Sequence, residues 1–160
     1  MSLEKMAPSE CAKKYLEHSE PLTVHLTSNS VFEYREGVWN RLIDNELLRR
    51  VAEFFNSNGA TYRPDKIKSV VEVMKMEMSE IGTVRAGLIG FKNGAYDLKS
   101  RQFLAHKQRH WLLNHNGIEY IEPESFETLE THAPNFYQWL SHCANADEGK
   151  MKRIKAALYM

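Results

Sequence analysis

Five cationic side chains lie close together in the sequence: Lys92, Lys99, Arg101, Lys107 and Arg109. Ammonium and guanidinium groups bind phosphate oxygens without reading bases, so this cluster would hold single- or double-stranded DNA weakly and without sequence preference. The alternative is an ordinary charged sheet edge that deters aggregation. The whole chain has 21 basic and 21 acidic residues, so any binding of nucleic acid depends on a local patch of this kind.

Three histidines in the same region suggest a metal site. His106 and His110 are four residues apart, which on a helix would place both on one side, and His115 follows. However, Asn114 and Gly117 do not continue a helix, and no cysteine or acidic residue completes a ligand set. We therefore expect surface or hydrogen-bonded histidines and no metal.

The motifs of the common catalytic sites are missing from the sequence. It contains no G-x-x-x-x-G-K-[ST] phosphate loop for ATP and no G-x-S-x-G nucleophile motif. Asp97, on a predicted strand, and Asp44, at a predicted helix start, have no neighbouring acid, so a two-metal site is not indicated. We predict no catalytic residues, no cofactor and no enzymatic activity for this chain.

The cationic cluster is spread over a predicted three-stranded meander. Residues 88–91 indicate a short strand, and Asn93-Gly94 indicates a two-residue turn in which both positions need φ > 0. Residues 96–98 alternate apolar and polar side chains, which predicts a second strand, and another turn leads to a third at 103–104. If the two turns point the same way, the five cations share one edge.

Two helices are predicted before this meander and two after it. Residues 44–55 have a helical apolar stripe, and the next helix begins at Pro64. Pro134 and Asp147 begin the two later helices. The pattern predicts an α+β fold in which helices pack around a small antiparallel β meander. Two helices followed by a hairpin is also the order found in a winged-helix domain, an analogy of fold alone.

Two further features would suit nucleic acid but have simpler explanations. A predicted hairpin at residues 31–40 carries Phe32, Tyr34 and Trp39, which would serve as a stacking platform for bases or as core residues. Arg49 and Arg50 would contact phosphate or belong to a solvated helix face. We expect core aromatics and a solvated helix face.

The hairpin and the meander together carry a motif. Its residues, in order, are Tyr34, Gly37-Val38-Trp39, the segment FKNGAYDL at 91–98, Phe103-Leu104, His106, Trp111-Leu112-Leu113 and Tyr120. This arrangement resembles the NG-x-x-DL signature of the phage, plasmid and poxvirus primase-helicases. In that family the segment belongs to the conserved domain just upstream of the superfamily III helicase motor. The resemblance covers roughly residues 31–160.

The resemblance implies a non-catalytic accessory module of a phage- or plasmid-type DNA primase-helicase, which links the primase and helicase parts. The implied partners are DNA, the helicase motor of the parent chain and, in a homo-oligomer, further copies of the module. The alternative is a stand-alone winged-helix-like regulator that binds DNA, and this alternative requires the natural chain to end near Met160.

Three parts are predicted along the chain. Residues 1–30 are expected to form an N-terminal linker and a packing helix, and residues 31–145 the accessory domain. Residues 146–160 are expected to begin a helix that leads towards a helicase domain missing from this sequence. The last apolar stripe reaches the end of the sequence without a stop signal, so we expect a fragment of a longer protein.

The cysteines and the hydropathy pattern bear on the compartment. Cys11 and Cys143 lie far apart with no CxxC motif, which fits a reducing cytosol better than a disulfide framework. No apolar run approaches the ~20 residues needed for a membrane span. We expect a cytoplasmic protein without membrane contact.

Overall fold

The computed structural model describes residues 2–122, 124 and 128–158. This part of the chain contains six α-helices and two three-stranded antiparallel sheets. The fold is therefore α+β, as the sequence predicts. The chain divides into two compact units, Met1–Tyr120 and Ile121–Met160, which are described separately. Residues 159 and 160, at the end of the predicted last helix, lie outside the described residues.

The first sheet consists of β1 (Leu22–His25), β2 (Ser30–Arg35) and β3 (Val38–Leu42), in that order. The predicted hairpin at 31–40 is confirmed as β2 and β3, in which Tyr34 pairs with Trp39. The turn between these strands has positive φ, 52° at Glu36 and 85° at Gly37. β1 lies at one edge of this sheet, within the residues predicted as an N-terminal linker and packing helix.

Three helices pack on this sheet: α1 (Pro8–His18), α2 (Asp44–Ser57) and α3 (Pro64–Glu77). Apolar side chains from α2 and α3 meet those of the sheet in the main core. Its fully buried members include Val24, Val31, Leu47, Val51, Phe55, Val70 and Met74. Helices thus pack on a small antiparallel meander as predicted, but the meander is the first sheet and not the one at 88–104. Val24 and Val31 of the first sheet are wholly buried, as expected for strands that pack against a layer of helices.

The second sheet confirms the predicted meander, with β4 (Leu88–Phe91), β5 (Gly94–Asp97) and β6 (Gln102–Leu104). A smaller cluster of Val38, Ala95 and Leu112 joins it to β3. Residues after β6 include a 3-10 turn at Gln108–His110 and then run beside β4. There, the backbone N–H of Asn116 donates to Gly90 at 2.9 Å, and that of Lys92 donates to Ile118 at 2.8 Å.

The tight turn of this sheet is displaced by one residue from its predicted position. Phe91 pairs with Gly94, so Lys92 and Asn93 form the turn. The expectation of φ > 0 at Asn93 and Gly94 is wrong, because neither residue has positive φ. Gly94 is needed for a different reason: a Cβ atom there would lie 2.4 Å from Cζ of Phe103 and 2.5 Å from the carbonyl oxygen of Leu104.

The second unit contains α4 (Leu129–His132), α5 (Pro134–Ala144) and α6 (Glu148–Leu158). Leu140 and Ala144 of α5 are buried, whereas Phe136 and Trp139 stack on each other and remain partly exposed. No helix among the described residues is both long enough and apolar enough to cross a bilayer. The three parts predicted along the chain stay a prediction.

Candidate nucleic-acid interface

The structure divides the five cations of the predicted patch between the two ends of the second sheet. Lys92 lies in the β4–β5 turn, whereas Lys99 and Arg101 lie in the loop between β5 and β6. The two connections leave β5 at opposite ends, about 10 Å apart at 3.4 Å per residue. All three side chains are exposed.

The other two cations, Lys107 and Arg109, lie beyond the end of β6. Because β6 runs antiparallel to β5, its last residue, Leu104, is opposite Ala95, next to the turn that holds Lys92. Three of the five cations therefore belong to one end of the sheet. The five do not share one edge, because successive turns of a meander lie at opposite ends of its middle strand. Whether these side chains bind nucleic acid stays a prediction.

The loop with Lys99 and Arg101 is organised around a buried carboxylate. Oδ1 of Asp97 accepts hydrogen bonds from the backbone N–H groups of Lys99 at 2.9 Å and Ser100 at 3.4 Å, and Oδ2 lies 3.1 Å from Nη2 of Arg85. The bond from Lys99 is the main reason that the pKa of Asp97 is below its usual value, and burial opposes it. The ionised carboxylate offsets part of the positive charge at this end.

A groove lies at the other end, between the first sheet and the 3-10 turn. It has a volume of about 710 Å³ and is lined by Pro21, Leu22, Tyr34, Trp39, Ser79, His106, Lys107, Gln108, Arg109 and Trp111. The lining combines three aromatic rings with two cations. Within the described part of the chain, the lining residues include no carboxylate, so the groove is positive although the whole chain is neutral.

Trp39 attaches the first sheet to the segment that carries the cations. Its backbone N–H donates to the carbonyl oxygen of Leu112 at 2.7 Å, and its indole Nε1 donates to the carbonyl oxygen of Gln108 at 3.0 Å. The ring is 3% exposed, so the prediction that it is a core residue is confirmed. Tyr34, whose ring centroid is 5.3 Å from that of Trp39, is half-buried at the groove.

Trp111 stacks on Trp39 with ring centroids 5.1 Å apart and an interplanar angle of 20°. It is half-buried, and its φ of 54° lies in the left-handed region, which bulky residues rarely adopt. A Cβ atom on Gly82 would lie 2.3 Å from its Nε1, so this glycine gives the indole its space. Sequence reasoning used Trp111 only as a motif residue. The feature of the sequence that could have singled it out is its position two residues after Arg109, the last of the five cations.

The prediction of surface or hydrogen-bonded histidines fits His106 but is wrong for His110, which is buried and whose Nδ1 has no hydrogen-bond partner among the described residues. His106 packs over Gly37, where an added Cβ atom would lie 2.3 Å from its Cγ, and its Nε2 is 3.4 Å from the carbonyl oxygen of Lys92. His110 is 6% exposed, and burial, followed by the nearby charge of Arg109, lowers its pKa. In the described ranges, no three His, Cys, Asp or Glu side chains are grouped as a metal ion would require.

Arg49 and Arg50 contact acidic side chains. Nε of Arg49 lies 3.2 Å from Oε1 of Glu53. Nη1 of Arg50 lies 2.5 Å from Oε1 of Glu33, and its Nε lies 3.0 Å from Oε1 of Glu46. These ion pairs favour the interpretation of a charged helix face over a phosphate contact.

The signature segment on the second sheet and the hairpin with Trp39 both lie in the part of the chain that matches a family of replication proteins. The family model described as "D5 N terminal like" matches residues 25–144, three quarters of the chain. The chain therefore belongs to this family, the N-terminal domain of D5-like phage and poxvirus primase-helicases. The match confirms the resemblance seen in the sequence and extends from the end of β1 to α5.

Proposed function

We propose that the chain is a non-catalytic accessory module of a phage- or plasmid-type DNA primase-helicase, which links the primase and helicase parts and contacts DNA during replication. Family membership supports the setting, and the absence of a phosphate loop from the sequence supports a non-catalytic role. The proposed partners are DNA, the helicase motor of the parent chain and further copies of the module. The free thiols of Cys11 and Cys143 suit a cytoplasmic setting.

The observation that carries the DNA contact is the placement of Lys107 and Arg109 on the lining of the aromatic groove, with Lys92 at the same end of the sheet. Exposed cations beside a surface without carboxylates attract phosphates even when the whole protein is neutral. Lys99 and Arg101 form a second, weaker contact in this proposal, because ionised Asp97 lies beside them.

The proposal is tested with fluorescein-labelled DNA by anisotropy at several salt concentrations from about 50 to 200 mM, a range over which phosphate contacts weaken measurably. The Lys107→Glu/Arg109→Glu variant should bind more weakly and with a flatter salt dependence, and Lys99→Glu/Arg101→Glu should lose less. Lys13→Glu/Lys14→Glu, on the exposed side of α1, changes the net charge by the same amount and serves as control.

Two results would contradict the DNA contact. One is the absence of wild-type binding at the lowest salt concentration. The other is an equal loss in the control and in the Lys107/Arg109 variant, which would show that only net charge matters. The remaining proposal would be a family module that links the primase and helicase parts without contacting DNA.

A further inference from the structure

Two of the three rings that line the groove, those of Tyr34 and Trp111, are half-buried, and the third, that of Trp39, is buried. Double-stranded DNA has no means to stack its bases on such rings. In a duplex each base is stacked between its neighbours, so aromatic side chains reach base faces only in single strands or unpaired ends. Cations alone would suffice for a duplex, which presents phosphates outwards. Aromatic rings behind a cationic lining are therefore the arrangement expected for a single strand.

The backbone that carries the cationic lining is held in place before any ligand arrives. Both hydrogen bonds of Trp39, to Gln108 at 3.0 Å and to Leu112 at 2.7 Å, hold the segment that contains Lys107, Arg109 and Trp111. The stacked ring of Trp39 also supports Trp111 in its left-handed backbone conformation. Little ordering of this backbone is then needed on binding, which favours affinity, and the ordering that remains is that of the exposed Lys107 and Arg109 side chains.

A second groove on the same unit provides a comparison. It has a volume of about 470 Å³ beside α2 and α3, and its lining contains Lys68 and Lys75 but also Asp44 and Glu72. Its charges balance, and Lys75 is already paired with Asp44 at 2.8 Å. Of these two grooves, the one at Trp111 has the lining whose charge complements a polyanion.

We propose that the groove binds single-stranded DNA, with a base stacked on the indole of Trp111 and the adjacent phosphates paired with Lys107 and Arg109. This inference rests on the proposed function, because it assigns a strand type and a stacking residue to the DNA contact of the module. Tyr34 completes the apolar wall beside Trp39, whose own ring is buried and takes no part in stacking on bases.

The test measures the affinity of the whole chain for a labelled 20-mer of thymidine and for a 20-base-pair duplex at the same low salt concentration. The wild type should prefer the single strand. Trp111→Leu, which keeps an apolar side chain but removes the ring, should lose about 5- to 150-fold in affinity for the single strand, the range for one base–aromatic stack. Its loss on the duplex should be at least fivefold smaller. Trp111→Phe should recover most of the lost affinity.

The outcomes separate this inference from the proposal on which it rests. If Trp111→Leu loses nothing on the single strand, or loses equally on both DNAs, the stacking inference is overturned, while salt-dependent binding through Lys107 and Arg109 still supports the DNA contact. If the wild type binds neither DNA at low salt, the DNA contact and the stacking inference both fail.

A second measurement covers the case in which Trp111→Leu does not fold. In a Trp139→Phe protein the remaining indoles are the buried Trp39 and the half-buried Trp111. The thymidine 20-mer should quench the tryptophan emission of this protein, and the duplex should not. Absence of quenching at a concentration of the single strand that saturates the anisotropy signal would overturn the inference.

Discussion

The side-chain amide of Asn93 pairs with the backbone of Tyr120 in both directions. Its Nδ2 donates to the carbonyl oxygen at 3.0 Å, and its Oδ1 accepts from the N–H group at 2.8 Å. The asparagine thus reproduces the two bonds that a neighbouring strand would provide. It fixes the end of the first unit, where the Tyr120 ring stacks on Phe103 with centroids 4.5 Å apart.

We expect Asn93→Asp to lower the free energy of unfolding by about 1 kcal/mol, because the aspartate keeps the acceptor but loses the donor. Asn116→Asp is the matched control: Oδ1 of Asn116 accepts the N–H of Ile118 at 3.0 Å, a role that aspartate retains. Thermal melting of both variants checks the expectation. Equal melting temperatures for the two variants would show that the Asn93 donor contributes nothing.

Gly94→Ala should lower the free energy of unfolding by about 1–3 kcal/mol, because the added methyl group collides with the Phe103 ring and with the Leu104 backbone. Gly117→Asn is the control, since Gly117 has a φ of 78° with no atom within 4 Å of an added Cβ, and asparagine tolerates this conformation. Urea denaturation compares the two. An unchanged midpoint for Gly94→Ala would refute the close approach.

Arg50→Ala should cost about 2–3 kcal/mol, because it leaves Glu33, a side chain only 9% exposed, without its guanidinium partner. Arg49→Ala removes an i,i+4 pair whose arginine side chain is 71% exposed, so it should change the stability by less than about 0.5 kcal/mol. Chemical denaturation of both variants measures the difference. Similar losses in the two would mean that the buried position of Glu33 has no energetic consequence.

The stability of the protein should fall as the pH is lowered from 7.5 to 5.5. The pKa of His110 is lowered in the folded state, mainly by burial, so the unfolded chain, with a histidine pKa of about 6.5, binds more protons. The contribution is fully present above the unfolded pKa and is lost as the pH falls towards the folded one. Urea midpoints over this range should fall less in His110→Gln than in wild type. An equal fall in the two proteins would show that burial of His110 makes no pH-dependent contribution to stability.

The purified chain should neither hydrolyse ATP nor make primers, with or without DNA, because its sequence has no phosphate loop and no paired acids for two metals. A phosphate-release assay with single-stranded DNA, against a mock purification from cells without the gene, checks the first part. DNA-stimulated hydrolysis that exceeds the mock and co-purifies with the chain would contradict it.

Local periodicity was sufficient to predict the elements that have one buried face. The stripe that includes Leu47 and Val51 predicts α2, and both residues are completely buried in the structure. The alternation around Tyr96 predicts β5. In α2 the pattern matches the buried face, whereas in β5 the faces are reversed: Ala95 and Asp97, on the predicted polar face, are buried, and Leu98, on the predicted apolar face, is 55% exposed.

Features that depend on distant parts of the chain were not predictable in this way. The position of β1 is fixed by a bridge between Val24 and Glu80. The position of the turn in the second sheet depends on the hydrogen bonds between the Asn93 side chain and the Tyr120 backbone. The need for glycine at position 94 depends on the nearby Phe103 ring. The candidate site has the same limit. The sequence shows where the cations lie along the chain, but only the strand pairing of the second sheet shows that Lys99 and Lys107 lie towards opposite ends of β5.

The backbone hydrogen bonds of the two outer strands of the first sheet affect whether neighbouring copies of the chain pair through these strands. On β1, Val24 donates to Ser79 at 3.0 Å and accepts from Ile81 at 2.9 Å, and on β3, Trp39 donates to Leu112 at 2.7 Å. Backbone groups that would otherwise recruit a strand from another molecule are thus satisfied within the unit itself. Several such modules held side by side would therefore not join through these backbone groups of their first sheets.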